Sequence, residues 1–483
     1  MRQRSATRRI PFAVLLLTAL SSVSPAEAQE LSLAFEPDRP VAGETFLVLV
    51  TGEGDGCYTG THSTTIEGDE VTLTFSDHCP FPGSTRKFTF RMELTLPSAG
   101  EWTVNVFNTF TDTLATSTVS VATEPTVESS REAGATLLFP YFEVDPDDPA
   151  GRTSLVAIGN TSGTGTLAHV ILWTDRGIPT LAFDLFLNAR SVQTINLRNV
   201  FSGVLPETPH STLTEPDPYP FCQTPLHLPE ISPEVLRAQH SGEPVPGDGM
   251  CYSTGRSDLA VGYLTVDVVR RCSRRFPSDP SYFGDFDQII GTRNVLWGDQ
   301  FFVDGQEDFA QGFQAVAISA DVLNAEPGKT FYRKFAPDGE DARAMLPAAH
   351  LARATTGGTF DGGTDFLVWI EDPRLSEPFS CDSPPMADCP HKLRASFTEE
   401  RGSDTPELFT ISSPPVTGRW AVGGPELPVA TPFTVAELSG EDPTNLCLRD
   451  PPPKAVPLQM SVSGVVKAFG RFSVGIRGAA LPE

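Results

Sequence analysis

"KFTFRMELTL", residues 87–96, alternates without a break: Phe88, Phe90, Met92, Leu94 and Leu96 share one face, and Thr89, Arg91, Glu93 and Thr95 share the other. A period of two marks a strand with one face on a core and one in water. The same alternation runs through "EVTLTF" (70–75) and "EWTVNVF" (101–107), and "LSLAF" (31–35), "TFLVLV" (45–50) and "STVSV" (117–121) add shorter runs. Six or seven such strands in about 90 residues, punctuated by Gly and Pro, bury their apolar faces most simply as two packed sheets. Residues 29–121 are therefore expected to form a β-sandwich.

Further along, "ATEPTVESSREAG" (122–134) is polar and reads as a linker. Strand-like runs then resume at "TLLFPYFEV", "TSLVAIGN", "TLAHVILW", "LAFDLFLN" and "VQTINL", and later at "LAVGYLTVDVV", "FQAVAISAD", "DFLVWIED" and "GRFSVGIRG". The fold class is all-β, with residues 135–483 making one or two further sandwich domains. Pro140 cannot donate to a ladder, so its strand should lie at an edge or carry a bulge. "TLAHVILW" is nearly apolar throughout and should be central. Ten prolines between Leu205 and Gly255 make 205–255 an irregular excursion. Within it "SPEVLRAQHSG" reads as a short helix, with Ser232 as N-cap, Pro233 in the first turn and Gly242 past the end. "MLPAAHLARATTGG" (345–358) is expected to hold a second. A faint echo links "LAHVILWTDRGIPTLAFD" (167–184) with "GTDFLVWIEDPRLSEPF" (363–379), each an apolar strand ending in Trp before an acid and Pro, as a duplicated motif would.

Two resemblances accompany these readings. "LPSAGEWTVNV" (96–106) resembles the penultimate strand of bacterial immunoglobulin-like domains, which implies that fold for 29–121. "ATLLFPYFEVD", "NLRNVFSGVLP", "NVLWGDQFFVD" and "GGTDFLVWIED" resemble segments of exported bacterial proteins of unassigned function, and the resemblance implies export without implying an activity.

Residues 1–28 carry a secretory pattern: basic "MRQRSATRR", apolar "FAVLLLTAL", and "AEA" before Gln29. Cleavage near Ala28 would place the mature chain in the periplasm, at the cell surface or outside, and no later apolar run reaches the roughly 20 residues of a membrane span. The formal charge of −26 becomes −29 once Arg2, Arg4, Arg8, Arg9 and Glu27 are removed, which disfavours nucleic acid as a partner. The basic "VVRRCSRRF" (268–276) is read as local salt-bridging. All 8 cysteines lie in the mature chain and no Cys-x-x-Cys occurs, so disulfides are expected rather than zinc. Proximity suggests Cys57 with Cys79, Cys381 with Cys389, and Cys222 with Cys251, leaving Cys272 and Cys447.

Few residues look like chemistry. No Gly-x-Ser-x-Gly elbow, phosphate loop, dinucleotide fingerprint or His-Glu-x-x-His helix is present. His169, inside an apolar strand, is read as a satisfied core histidine. "EVDPDDPAG" offers Asp145, Asp147 and Asp148 as weak metal ligands, yet as an EF-type calcium loop it has Pro149 at position 5 and Val156 at position 12. Two Asp-Pro turns explain it more simply. "FDGGTDF", with Asp361 and Asp365, is a hairpin signal first. Three tryptophans stand within two or three residues of acids: Trp173 with Asp175, Trp297 with Asp299, and Trp369 with Glu371 and Asp372. Ring stacking beside a carboxylate suits a sugar, while a Trp closing a strand before a turn acid is also ordinary core design. The expectation is a non-enzymatic exported binding or structural protein with no catalytic or cofactor residues, its partner an unknown protein or glycan. The alternatives are a carbohydrate-active or carbohydrate-binding protein using the Trp and acid pairs, and a calcium-stabilised adhesin.

Overall fold

A computed structural model describes residues 31–36, 40, 42–43, 45–54, 63–75, 86–108, 113–121, 133–207, 229–254, 258–284, 289–306, 309–356, 363–372, 377–383, 392–399, 406–412, 416–429, 433–441, 459–468, 472–477 and 479–480. The leader, most of the linker, Cys57, Cys79, Cys222, Cys389, Cys447 and Asp361 lie outside the described residues.

The chain is all-β. Its first module runs β1 (Ser32–Glu36), β2 (Thr45–Gly54), β3 (Ser63–Glu67), β4 (Glu70–Phe75), β5 (Arg86–Thr95), β6 (Gly100–Asn108) and β7 (Thr113–Val121). One sheet has the order β1-β2-β5 and the other β3-β4-β6-β7. The alternation seen in the sequence delivers Val48, Val50, Leu73, Met92, Leu94, Trp102 and Val104 to a single core between them. In this sandwich β4 runs parallel to β6, because the chain crosses to the opposite sheet as β5 between the two. Glu93, on the outer face of β5, ties the module to the next: it accepts from Arg270 Nη2 at 2.7 Å and Thr292 Oγ1 at 2.9 Å. Desolvation of its carboxylate is outweighed by these partners, so its pKa is lowered.

Next come β8 (Thr136–Val144), β9 (Arg152–Asn160), β10 (Thr166–Thr174), β11 (Pro179–Leu187), β12 (Val192–Asn196), β13 (Met250–Cys251), β14 (Ala260–Val269), β15 (Leu296–Asp304), β16 (Phe309–Gln314) and β17 (Val316–Ile318). The remainder holds β18 (Ala349–Thr355), β19 (Thr364–Ile370), β20 (Phe379–Ser380), β21 (Lys392–Glu399), β22 (Glu407–Ser412), β23 (Thr417–Ala421), β24 (Phe433–Glu441), β25 (Met460–Ala468), β26 (Phe472–Arg477) and β27 (Ala479–Ala480). The second sandwich pairs sheet β11-β10-β14-β8-β17 with β12-β9-β15-β16, and the third pairs β22-β21-β24-β18-β27 with β23-β19-β25-β26. Setting aside the two-residue strands β13 and β20, each strand of the second sandwich has its counterpart in the same place in the third. The two are one topology used twice. The echo noted above joins β10 to β19, which are not counterparts: β10 corresponds to β21, and β19 to β9.

Alternate residues of β10 and β19 feed different layers, which is why both read as continuous apolar runs. Ala168, Val170 and Leu172 enter the second core, whereas Leu167, Ile171 and Trp173 face outward. Phe366, Val368 and Ile370 enter the third core, whereas Leu367 and Trp369 face outward. Leu167, Ile171, Trp173 and Trp369 meet Tyr282, Phe331 and Tyr332 in a shared apolar layer, while Leu367 packs with Tyr141 and Phe302. Burying both faces places β10 inside its sheet, as expected for "TLAHVILW".

Pro140 sits at a bulge. Phe139 pairs with Leu264 and Phe142 with Gly262, so Pro140 and Tyr141 together oppose Tyr263. The short β17 reaches only Thr136–Leu138 on the other side, and Thr417 Oγ1 donates to the Pro140 carbonyl. A helix, α1 (Leu197–Phe201), follows β12 unheralded, capped by Asn196. The second, α2 (Pro233–Ser241), is capped by Ser232, and Gly242 adopts φ 77°, as expected. Residues 349–355, expected within a helix, are instead β18. His350, Ala352 and Ala354 are buried on one face there, so period two prevails over the helical propensity of the alanines.

The cysteine expectation is also corrected. Cys251 is bonded to Cys381, with 5.1 Å between Cα atoms, so neither Cys222–Cys251 nor Cys381–Cys389 forms. The ladder between β13 and β20 brings the two chains together beside this bond. It staples the Pro-rich excursion of one sandwich to the next. Cys272 is disulfide-bonded as well.

Candidate binding cleft between two sandwiches

The aromatic side chains of the shared layer do not close completely. A cleft of about 370 Å³, open solvent included, is lined by Trp173, Tyr263, Phe331, Tyr332, Phe335 and Trp369, with Thr265, Lys334, Glu371, Asp372 and Val416 among them. Trp173 and Tyr263 are direct partners on β10 and β14, stacked at 5.7 Å with their planes 3° apart. Trp369 comes from β19 of the other sandwich, edge-on to Tyr263 at 6.1 Å and tilted against Phe331 at 5.4 Å. Phe335, half-buried, lies 6.1 Å from Trp173.

Polar groups around the rings divide into the satisfied and the unsatisfied. Trp173 Nε1 donates to Thr265 Oγ1 at 2.9 Å. Trp369 Nε1 lies beside the Tyr263 hydroxyl without meeting hydrogen-bond geometry, although the residue is only 5% exposed. Burial, aided by Asp372 and Glu371, pushes the Tyr263 phenol well above its ordinary range against a pull from Trp369, so it stays protonated. Arg333 holds Glu371 in a two-point pair, Nε to Oε1 at 3.1 Å and Nη2 to Oε2. Lys334 Nζ stands 4.8 Å over the Phe335 ring and donates to the Asp372 carbonyl at 3.3 Å.

Two of the three tryptophans, Trp173 and Trp369, are thus brought to one place, but only the acids after Trp369 line the cleft. Asp175 lies beneath the cleft rather than in it: its carboxylate accepts from Thr254 Oγ1 at 3.0 Å, its carbonyl from Val416 N at 2.7 Å, and burial raises its pKa. Trp297 and Asp299 lie apart, on the outer face of β15, the indole laid across its cross-strand partner Gly159, where an added Cβ would meet Trp297 Cε2 at 2.2 Å.

Beneath the cleft is a closed polar network. Asp267, fully buried, accepts from Tyr282 at 2.7 Å, from Tyr332 at 2.8 Å and from Thr136 Oγ1. Arg343 Nε reaches the same threonine at 3.0 Å. His169 faces two acceptors, Asp184 Oδ1 at 2.6 Å and the Arg275 carbonyl at 2.9 Å, so both ring nitrogens carry protons. Desolvation disfavours that cation, but the Asp184 charge and hydrogen bond outweigh it and its pKa is raised. It is the satisfied core histidine the sequence suggested.

The Asp145 corner turns on its own side chains. Asp145 Oδ1 accepts from the amides of Asp147 and Asp148 at 3.0 Å each, and the Gly151 amide closes the second turn on the Asp148 carbonyl at 3.0 Å. Asp148 uses both carboxylate oxygens, and Asp145 and Asp147 one each, on partners within the protein. Arg198 donates to the carbonyls of Asp145, Pro149, Gly151 and Arg152 at 2.6 to 3.1 Å, Arg237 pairs with Asp147 at 2.9 Å, and Gln306 donates to Asp148. Among the described residues no group of three or more His, Cys, Asp or Glu side chains is placed to share a metal ion. Asp365, for its part, lies within β19 and accepts from Arg419 Nε at 2.7 Å.

The cleft had no local signature, because its walls come from β10, β14, β19 and the connection between sandwiches. The residues missed were Tyr263, Phe331, Lys334 and Phe335. The signal that could have pointed to them is the dense aromatic and basic run "TFYRKF" (330–335). Comparison with known proteins found no matching family model and no matching curated protein.

Proposed function

We propose that this chain is an exported protein, freed from its leader near Ala28, that acts in the periplasm or outside the cell by binding rather than by catalysis. One observation carries the reading. In the cleft where aromatic rings and acids converge, Glu371 is held at two points by Arg333, and Lys334 is fastened to the Asp372 carbonyl. Glycosidic cleavage needs two carboxyl groups set across a substrate in different protonation states. Glu371 and Asp372 are chain neighbours, one of them locked into an ion pair, which suits holding a ligand rather than cleaving it. The Cys251–Cys381 bond agrees with an oxidising compartment. Among the described residues no helix is long and apolar enough to cross a membrane.

The carbohydrate-binding form of this reading is favoured over the calcium-stabilised adhesin, since the corner that raised calcium is filled by Arg198. To test the reading, the mature chain is incubated with oligosaccharides and chromogenic esters, and products are followed by mass spectrometry. Unaltered substrates are expected; time-dependent product that survives further purification would overturn it.

A further inference from the structure

We infer that two copies of this chain pair through the outer face of sheet β12-β9-β15-β16, a surface away from the cleft and independent of the binding reading above. The sheets of the two repeats stack in one order: β12-β9-β15-β16, β11-β10-β14-β8-β17, β23-β19-β25-β26 and β22-β21-β24-β18-β27. The middle two meet inside the molecule, and the first and last are the ends of the stack. The ends differ in chemistry. On the last sheet Arg353, Arg394, Ser396, Thr398, Glu437 and Ser439 alternate with core residues and face outward, a polar cap of the kind that ends a repeat array. On the first sheet Leu155, Val192, Trp297, Phe301 and Val303 face outward, and the acid among them is Asp299. Val192 is 50% exposed and Phe301 42% exposed. A contiguous apolar face of this kind marks an interaction surface.

Its rings lie flat. A Cβ at Gly159 would meet Trp297 Cε2 at 2.2 Å, and one at Gly312 would meet Phe301 Cε1 at 2.5 Å, so each ring covers a cross-strand glycine instead of standing off the sheet. A flat apolar sheet suits a second sheet stacked about 10 Å away. The molecule already shows what covers such a face. In the third sandwich the counterpart sheet turns the same outer face, through Leu367, Trp369 and Arg419, onto Tyr141, Tyr263 and Glu143 of another sandwich. Head-to-tail growth, with the last sheet of one copy on the first sheet of the next, would bury Arg353, Arg394 and Glu437 against apolar surface. Two first sheets set face to face bury apolar surface on both sides and leave a polar cap at each end, so the assembly closes at two copies. At about 3.3 Å per residue and 4.8 Å between strands, each face spans on the order of 500 Å². A pair covers about 1,000 Å², the size at which specific interfaces begin.

The test measures the mass of the mature chain in solution by sedimentation velocity, and by light scattering after gel filtration, across the micromolar range. Twice the mass of one chain is expected, with no larger species. Phe301→Asp, at the exposed centre of the face, should raise the dissociation constant roughly ten-fold or more with an unchanged circular dichroism spectrum. Val192→Asp, on the edge strand β12, carries the same expectation and serves if the first variant fails to fold. Leu408 is 73% exposed on the outer face of the last sheet, and Leu408→Asp should leave the dimer intact. A chain that stays monomeric throughout the range would overturn the proposal. So would a dimer that Phe301→Asp and Val192→Asp leave unchanged, or one that Leu408→Asp dissociates. Growth to ever larger species with concentration would also overturn it, because that is the mark of head-to-tail association.

Discussion

At the corner after β8 the guanidinium of Arg198 donates to four main-chain carbonyls, so the positive charge this oxygen-rich loop attracts is already part of the chain. Arg198→Met should cost roughly 2–3 kcal/mol in denaturant unfolding, because charge-assisted hydrogen bonds are lost and carbonyls are left unpaired. Calcium or EDTA should leave the native melting temperature where it was. Two buried histidines make opposite predictions about pH. His240 donates Nδ1–H to the Val261 carbonyl at 2.9 Å and lies 2.8 Å from Thr180 Oγ1, and burial lowers its pKa to about 4. Its contribution is full above pH ~6.5 and is lost as pH falls towards 4, on the order of 3 kcal/mol in all. His169 has a raised pKa, so its contribution is full below pH ~6.5 and is lost as pH rises through the folded value. His240→Gln should flatten the acid limb of a stability profile and His169→Gln the alkaline limb; unchanged limbs would contradict the assignments. At this scale the sequence was legible for turns and caps, which are chemistry between near neighbours: the Asp-Pro corner and the Ser232 cap read directly from spacing.

Elements were legible wherever one face alone is buried. "KFTFRMELTL" became β5 at once, and Pro140 announced its own bulge. The stretch 345–358 misled because His350, Ala352 and Ala354 share a face at period two while local composition favours a helix. The sheet partner β24, Phe433–Glu441, decides the matter and leaves no local trace. Disulfide choice failed for the same reason, since proximity in sequence says nothing of the ladder that sets Cys251 beside Cys381. Non-reducing peptide mapping should recover these two cysteines in one linked peptide. Replacing both by alanine should lower stability by up to about 5 kcal/mol, the chain-entropy value for so long a loop, with less expected where strain or residual structure intervenes.

As a whole, the described residues form a first β-sandwich followed by two sandwiches of one topology, packed so that outward residues of β8, β10 and β14 meet those of β19 and β23. Arg419 clamps the junction, pairing with Glu143 at 2.8 Å across it and with Asp365 at 2.5 Å on its own sheet. Desolvation opposes its charge but the two carboxylates outweigh it, and its pKa is raised. Arg419→Met should destabilise by roughly 2–4 kcal/mol, since it takes a cation from the buried Glu143 and the half-buried Asp365, and should separate the unfolding of the two sandwiches in calorimetry. The repeat was only half legible. The Trp-centred echo joined strands that are not counterparts, whereas β16 and β17 at the end of one repeat correspond in place to β26 and β27 at the end of the other. Strands so short are a weak signal within a chain of 483 residues. The cleft was less legible still, because it forms only where the repeats meet. The most direct measurement of the account is native-state hydrogen exchange by mass spectrometry on the mature chain. Slow exchange should appear together in 170–175, 260–265, 330–336 and 366–372, because the layer shared by the two sandwiches buries all four. Fast exchange in these segments while the cores inside the two sandwiches stay protected would contradict it.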